Sequence, residues 1–275
     1  MPSPNQITPA QLSRLIGTPV CPVLIDVRID TDFDTYPRMV PSSFHHPFDD
    51  VVSLVPELTH RRVVLICHEG KKLSEGAAAV LRNYQIRAEV LAGGYMGWQD
   101  SGHDLIKADQ IPKRAAQGQT VWVTRHRPKI DRIACPWFIR RFVDPRAQFL
   151  FVPPAHVKDV AQRFHATPFD IEDVFWSHRG PLCSFDVMTR EFEIKNEALS
   201  HLASIVRAAD TSRHDLAPEA AGLLAISLGL SRMYRDDLEQ LEAGMVIYDA
   251  LYRWARDAQD ESHDHSSALS SNPQT

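Results

Sequence analysis

The chain has 275 residues, 44% of them hydrophobic and 24% charged, with a formal net charge of −5. That is ordinary globular material, long enough for two domains, and the acidic balance argues against a general nucleic-acid binder. No apolar run reaches the roughly 18 residues a bilayer span needs, and the first residues lack the basic and apolar stretches of a secretory signal. The four cysteines (Cys21, Cys67, Cys135, Cys183) are scattered without a C-x-x-C pair. Free thiols in a reducing compartment fit this better than a disulfide framework, so a cytoplasmic location is expected.

Residues 1–106 read as one α/β unit. A short helix is expected over 7–16, with Thr8-Pro9 at its start, then a buried strand over 23–27. A polar loop follows over 33–47 and a short helix over 49–55. A second strand, 63–66, leads into a helix over 74–84 whose Ala77, Ala78, Leu81 and Tyr84 share a face. A third strand, 88–91, closes at Gly93-Gly94. Strands alternating with helices predict a parallel sheet covered on both faces.

The strand at 63–66 runs into Cys67, and a polar loop of His68, Glu69, Gly70, Lys71 and Lys72 leads to an Ala-rich helix. A thiol at such a turn faces loop amides and the positive end of a helix, which stabilise a thiolate or cradle an anion. Cys67 is therefore the candidate nucleophile, on a loop expected to be polar and exposed.

Four stretches carry a resemblance. They are Leu24-Ile25-Asp26-Val27-Arg28, Met39-Val40-Pro41-Ser42-Ser43, Cys67-His68-Glu69-Gly70 and Gly93-Gly94-Tyr95-Met96-Gly97-Trp98. In that order they resemble a rhodanese over most of residues 8–103. The resemblance implies a persulfide on Cys67, loop amides holding the anionic sulfur, and Lys71 and Lys72 drawing in an anionic donor such as thiosulfate. It also implies Asp26 and Arg28 as support for the loop, a thiol acceptor as partner, and no cofactor. The loop is one residue longer than Cys-x-x-Gly-x-x-Ser, which moves Ser74 back by one. Rhodanese-like phosphatases and arsenate reductases end a longer loop in an arginine that grips a tetrahedral oxyanion. Leu73 stands there, which argues against dephosphorylation or oxyanion reduction at Cys67.

Residues 107–119 are polar, without an apolar period, and read as a linker. A second unit, 120–258, is expected to be α+β and mainly helical in its C-terminal half. Strands are predicted over 120–124 and 148–152, and helices over 131–142, 155–164, 196–209, 218–230 and 236–257. The last of these carries a stripe of Leu238, Leu241, Met245, Tyr248, Tyr252 and Ala255. Residues 259–275, with His263 and His265, read as a solvated, disordered tail.

The second unit opens on a basic run. Arg125, Arg127 and Lys129 follow the first strand, Asp131 is placed to cap the next helix, Arg132 lies in its first turn and Cys135 one turn on. Together they read as an oxyanion site with a soft, oxidisable neighbour. A second set, His178, Cys183 and Asp186, reads as possible metal ligands, with His214, Asp210 or Asp170 completing it. The alternative for that set is a helix cap, a core histidine and a buried thiol.

The run from Arg127 to Pro145 resembles the C-terminal domain of the chromate-resistance ChrB family. So do Phe149 to Pro153, Pro168 to Asp170, His178 to Asp186, Ile205 to Asp210, Ala221 to Leu230 and Tyr248 to Tyr252. This implies a role in sensing or handling chromate. Regulators of that family carry an N-terminal DNA-binding segment. A rhodanese-like unit stands in its place here, without a helix-turn-helix pattern, which argues against direct DNA binding. The expected function is chromate resistance, with chromate bound in the second domain and sulfur or redox chemistry at Cys67 in the first. The alternatives are a regulator working through protein contacts and a plain thiosulfate sulfurtransferase. The oligomeric state stays open.

Overall fold

A computed structural model describes residues 5–258; the predicted tail at 259–275 lies outside them. The first unit is a five-stranded parallel sheet. Its strands are β1 (Gln6–Ile7), β2 (Val23–Asp26), β4 (Ser43–His45), β5 (Arg62–Ile66) and β6 (Arg87–Leu91), in the order β1-β6-β5-β2-β4. The helices are α1 (Pro9–Ser13), α2 (Asp30–Thr35), α3 (Val55–Leu58), α4 (Lys72–Asn83) and α5 (Gly94–Asp100). This is the parallel sheet that the alternation of strands and helices predicts, in the α/β arrangement that the resemblance to a rhodanese implies. Two short strands, β3 (Arg38–Met39) and β7 (Ile106–Lys107), pair antiparallel and tie the start of the linker back to this unit. The stretch 33–47, read as loop, thus holds two short strands and the end of α2.

Alternation along the central strand β5 sorts its side chains. Val63, Leu65 and Cys67 pack with Ala77, Ala78 and Leu81 of α4 on one face. Val64 and Ile66 point the other way, into a core that also holds Tyr95 and Trp98 of α5. That second face does not end with the unit. The same cluster continues through Trp122, Trp137, Phe138 and Phe142 to Tyr248 and Tyr252.

The second unit has a three-stranded parallel sheet, ordered β10-β8-β9, of β8 (Val121–Arg125), β9 (Gln148–Val152) and β10 (Thr167–Pro168). Around it stand α6 (Asp131–Phe138), α7 (Val157–Arg163), α8 (Ser184–Glu191), α9 (Glu197–Asp210), α10 (Ala220–Met233) and α11 (Asp237–Asp257). The helix expected over 131–142 divides: α6 contains Pro136 and gives way to a π-helical turn, Ile139–Val143. The C-terminal half is helical, and the predicted α11 stripe is buried at Leu241, Met245, Tyr248, Tyr252 and Ala255, whereas Leu238 is exposed. No helix among the described residues is long and apolar enough to cross a membrane.

Candidate functional site

Cys67 stands just past the carboxyl end of the central strand, where open parallel sheets place their ligands. Gly70 takes φ +68°, and a Cβ there would lie 2.5 Å from Gly94 N and from Leu91 O. Only glycines allow this approach, which folds the loop onto the start of α5. Tyr95 N–H donates to Cys67 O (2.9 Å) and Met96 N–H to His68 O (3.0 Å). The Lys71 N–H points at Cys67 Sγ (3.3 Å), and the Ser74 hydroxyl lies 3.0 Å from it. The helix begins at Lys72, two residues ahead of expectation, which places Ser74 in its first turn under the sulfur.

Glu69, Lys71 and Lys72 are exposed as a polar loop requires, but Cys67 itself is 4% exposed, covered by its own loop. Lys71 Nζ pairs with Glu69 (2.9 Å), which leaves Lys72 as the rim cation without an ion pair among the described residues. His68 Nδ1 is buried without a partner, its ring tilted against Tyr36. Below the loop, Asp26 and Arg28 form a buried ion pair at 2.6 Å. The Arg28 guanidinium also donates to Tyr36 O and Arg38 O and lies 4.1 Å from the Tyr95 ring centre.

The second centre collects residues far apart in sequence. Arg125 ends β8, and Asp170 follows the adjacent β10, so both lie at carboxyl ends of neighbouring parallel strands. Asp170 adopts φ +52° and accepts Arg125 Nη2 (3.0 Å) and Arg132 Nε (3.4 Å) on Oδ2. Its Oδ1 accepts the Ser184 hydroxyl (2.8 Å). The Asp170 N–H bonds Trp176 O, which fixes the loop that delivers His178. His178 Nε2 then faces three carboxylates at once: Asp131 (3.4 Å), Asp170 (3.4 Å) and Asp210 (3.3 Å).

The three carboxylates around it push the His178 imidazole up to about 12. Burial, with Asp210 and Asp170 nearby, raises Asp131, while Asp170 is held below the usual carboxylate range by His178, Ser184 and the arginines. Asp131, Asp170 and His178 offer ligand atoms within 4.8 Å of one another, a set that could hold a metal ion. The spacings from Nε2 to Asp131 and to Asp170, 3.4 Å each, match the edge, about 3.3–3.4 Å, of a tetrahedron whose metal–ligand bonds are about 2.0–2.1 Å.

Several expectations are corrected. Asp131 does not cap its own helix, whose N-cap is Ile130; its carboxylate instead accepts Ser184 N–H (2.6 Å) and Phe185 N–H (3.3 Å) and so caps α8. Arg127 turns away from the basic opening. Its guanidinium bonds Tyr234 O (2.8 Å) and Ser231 Oγ (3.2 Å), and its N–H bonds Asp237 (3.1 Å). Lys129 is half-buried and makes no ion pair among the described residues. Cys135 is fully buried on the core face of α6, and burial pushes its thiol well up, so it is no exposed soft neighbour.

Cys183 and Asp186 stand apart from His178 as well. Cys183 starts α8 and donates Sγ–H to Asp186 (3.2 Å), whose other oxygen takes Arg207 (2.6 Å). That is the capping alternative. Of the supplementary ligands, Asp170 joins His178 in that set, Asp210 lies against His178 (3.3 Å) but outside the set, and His214 forms no part of it. Arg125, Arg132 and His178, read as two separate sites, meet at one carboxylate, Asp170. Every hydrogen bond of the Cys67 loop stays within the first unit, and the thiol lies on the sheet face away from the second.

Comparison with known proteins fits this division. A rhodanese-like domain model matches residues 8–101, and a model of the ChrB C-terminal domain matches residues 122–255. Protein ChrB of Cupriavidus metallidurans is 35% identical over 151 residues, which are 53% of this chain and 44% of that protein, so the chain spans less than half of this relative's length. Among solved structures, a rhodanese-related protein from Thermoplasma volcanium is 19% identical, covering 37% of this chain and 97% of its own (TM-score 0.33). A thiosulfate sulfurtransferase from Pseudomonas aeruginosa is 19% identical, covering 40% of this chain and 20% of its own (TM-score 0.33).

Proposed function

For a chain that joins a rhodanese-like domain to a ChrB C-terminal domain, we propose a role in chromate resistance. In this reading the second domain takes chromate at a divalent-metal centre, and Cys67 of the first carries sulfane sulfur. The observation that carries it is the convergence of Asp131, Asp170 and Asp210 on His178 Nε2 beside Arg125 and Arg132. One Nε2–H can point at only one of three oxygens, and all three lie beyond the usual 2.9–3.0 Å of a good N–H···O bond. A dication in place of that proton would be held by His178, Asp131 and Asp170, with Asp210 alongside. Histidine with carboxylates suits zinc or manganese.

The charge balance supports the same reading. Three carboxylates, two guanidiniums and the imidazolium sum to zero, which does not draw in a dianion. A bound dication, displacing the imidazolium proton, would raise the sum to plus one. Asp170 links the two functions, with Oδ1 toward His178 and Oδ2 holding both arginines. Their planar forks are then set to grip a tetrahedral oxyanion beside the metal.

In the first domain, the Cys67 thiolate attacks the outer sulfur of thiosulfate. The S–S bond breaks, sulfite leaves with the bonding pair, and a persulfide remains. The Lys71 N–H and Ser74 hydroxyl support the anionic sulfur. An acceptor thiol or cyanide removes it in a second step.

Metal analysis of protein purified without added metal, followed by chromate titration of loaded and chelator-stripped protein, tests the first part. Loaded protein should bind chromate at least tenfold more tightly; equal binding overturns the metal's role, and no binding in either form overturns the oxyanion site. Thiocyanate formation from thiosulfate and cyanide, lost in Cys67→Ser, tests the second; its absence in the wild type removes sulfur transfer.

A further inference from the structure

Where the two units meet, a cavity of about 190 Å³ opens between β2 and the π-helical turn. It is remote from both centres: its lining includes neither Cys67 nor any residue of the His178 cluster. Four arginines reach it, Arg61 from the first unit and Arg140, Arg141 and Arg146 from the second, against one lining acid, Glu57. Glu57 is already committed to Arg146 (2.8 Å), Arg141 is held by both oxygens of Asp249 (2.8 Å each), and Arg140 pairs with Glu242. Arg61 has no ion pair among the described residues.

One donor of these arginines stands without an acceptor. Arg146 Nε is buried and has no hydrogen-bond partner. A buried N–H left in this state is costly unless something accepts from it. Burial pushes the Cys21 thiol up to about 12, so the cysteine in the wall brings no negative charge. The rest of the wall is apolar, from Leu24, Phe44, Leu54 and Leu58.

We propose that this inter-domain cavity binds a small organic anion, with a carboxylate against the arginines and an apolar body against Phe44 and Leu54. The cavity is smaller than the roughly 300–1,000 Å³ of pockets for drug-sized ligands, so the ligand is of the size of a simple aromatic or branched aliphatic acid. Because both units supply the wall, an occupant ties them together and stabilises the whole chain.

Thermal unfolding of the full chain with benzoate, with inorganic phosphate, and with chloride at matched ionic strength tests this. Benzoate should raise Tm saturably, by about 5–10 °C at a hundredfold excess over Kd, and phosphate and chloride should not. Arg61→Ala, at an exposed position, should weaken the benzoate response at least fivefold, and Leu54→Trp, which fills the apolar end, should abolish it. Cys67 and the His178 cluster are untouched in both variants, so sulfur transfer and metal content should stay at wild-type levels. A flat benzoate response overturns the proposal. So does a response unchanged by either variant, or one that phosphate matches.

Discussion

At the residue scale, His178 carries the sharpest expectation. Its imidazole is held far above its ordinary value by three carboxylates, up to about 12. A raised histidine contributes stability that is full below its unfolded pKa, about 6.5, and that is lost as pH climbs through the folded value. A metal ion must displace that same proton. Zinc affinity, measured by competition with a chelating dye, should therefore rise about tenfold per pH unit from pH 7 to 9, one proton leaving per ion bound. In His178→Ala the slope should vanish and affinity fall by at least a hundredfold; a wild-type affinity flat in pH would take His178 out of the site. A second residue-scale expectation concerns Arg28, whose side chain is 0% exposed and whose acid is Asp26. Asp26→Ala strands that guanidinium and should cost about 3–5 kcal/mol, read from urea unfolding.

At the element scale, α8 is held by a residue from another helix. Asp131 fills the role that a side chain at the helix's own N-terminus usually plays, while Cys183 and Asp186 close the first turn from within. This explains what the sequence made legible and what it did not. Cys67, Asp26 and Arg28 could be read because strand, loop and helix are contiguous there. Arg125 and Arg132 could be read because they flank one strand end. Asp131 could not: an aspartate opening a helix reads as its cap, and nothing local says that its carboxylate faces a helix fifty residues on. Asp170, His178 and Asp210 come together only through the parallel pairing of β8 with β10 and the return of α9. Arg127, counted with the basic opening, pins the α10–α11 connection through Tyr234, Ser231 and Asp237. Arg127→Ala should leave metal content and chromate affinity within twofold of wild type and raise amide exchange across residues 231–240 at least tenfold; a loss of chromate binding would return Arg127 to the site.

At the scale of the whole molecule, the two units do not behave as beads on a string. One hydrophobic cluster runs from Leu24 and Ile66 through Phe142 to Tyr252. The junction is closed by Ser42 N–H to Phe142 O (2.6 Å), Arg38 to Glu193 (2.8 Å) and Lys195 N–H to Asp104 (3.2 Å). The polar linker therefore separates two families of sequence without separating two cores. Because buried apolar surface drives cooperativity, residues 5–258 should melt in a single transition whose calorimetric and van't Hoff enthalpies agree. Gly17 offers the sharpest probe of that coupling. It adopts φ +81°, and a Cβ there would stand 2.5 Å from Phe142 Cζ and 2.8 Å from Tyr252 Cε1. Gly17→Ala combines backbone strain with overpacking and should cost about 2–4 kcal/mol, lowering Tm by about 5–15 °C. The residue belongs to the first unit and its clashes to the second, so the fluorescence of Trp98 and of Trp137, each isolated by replacing the other tryptophans with phenylalanine, should report the same lowered midpoint. Two midpoints, with Trp137 unmoved, would mean that the units unfold independently despite the core they share.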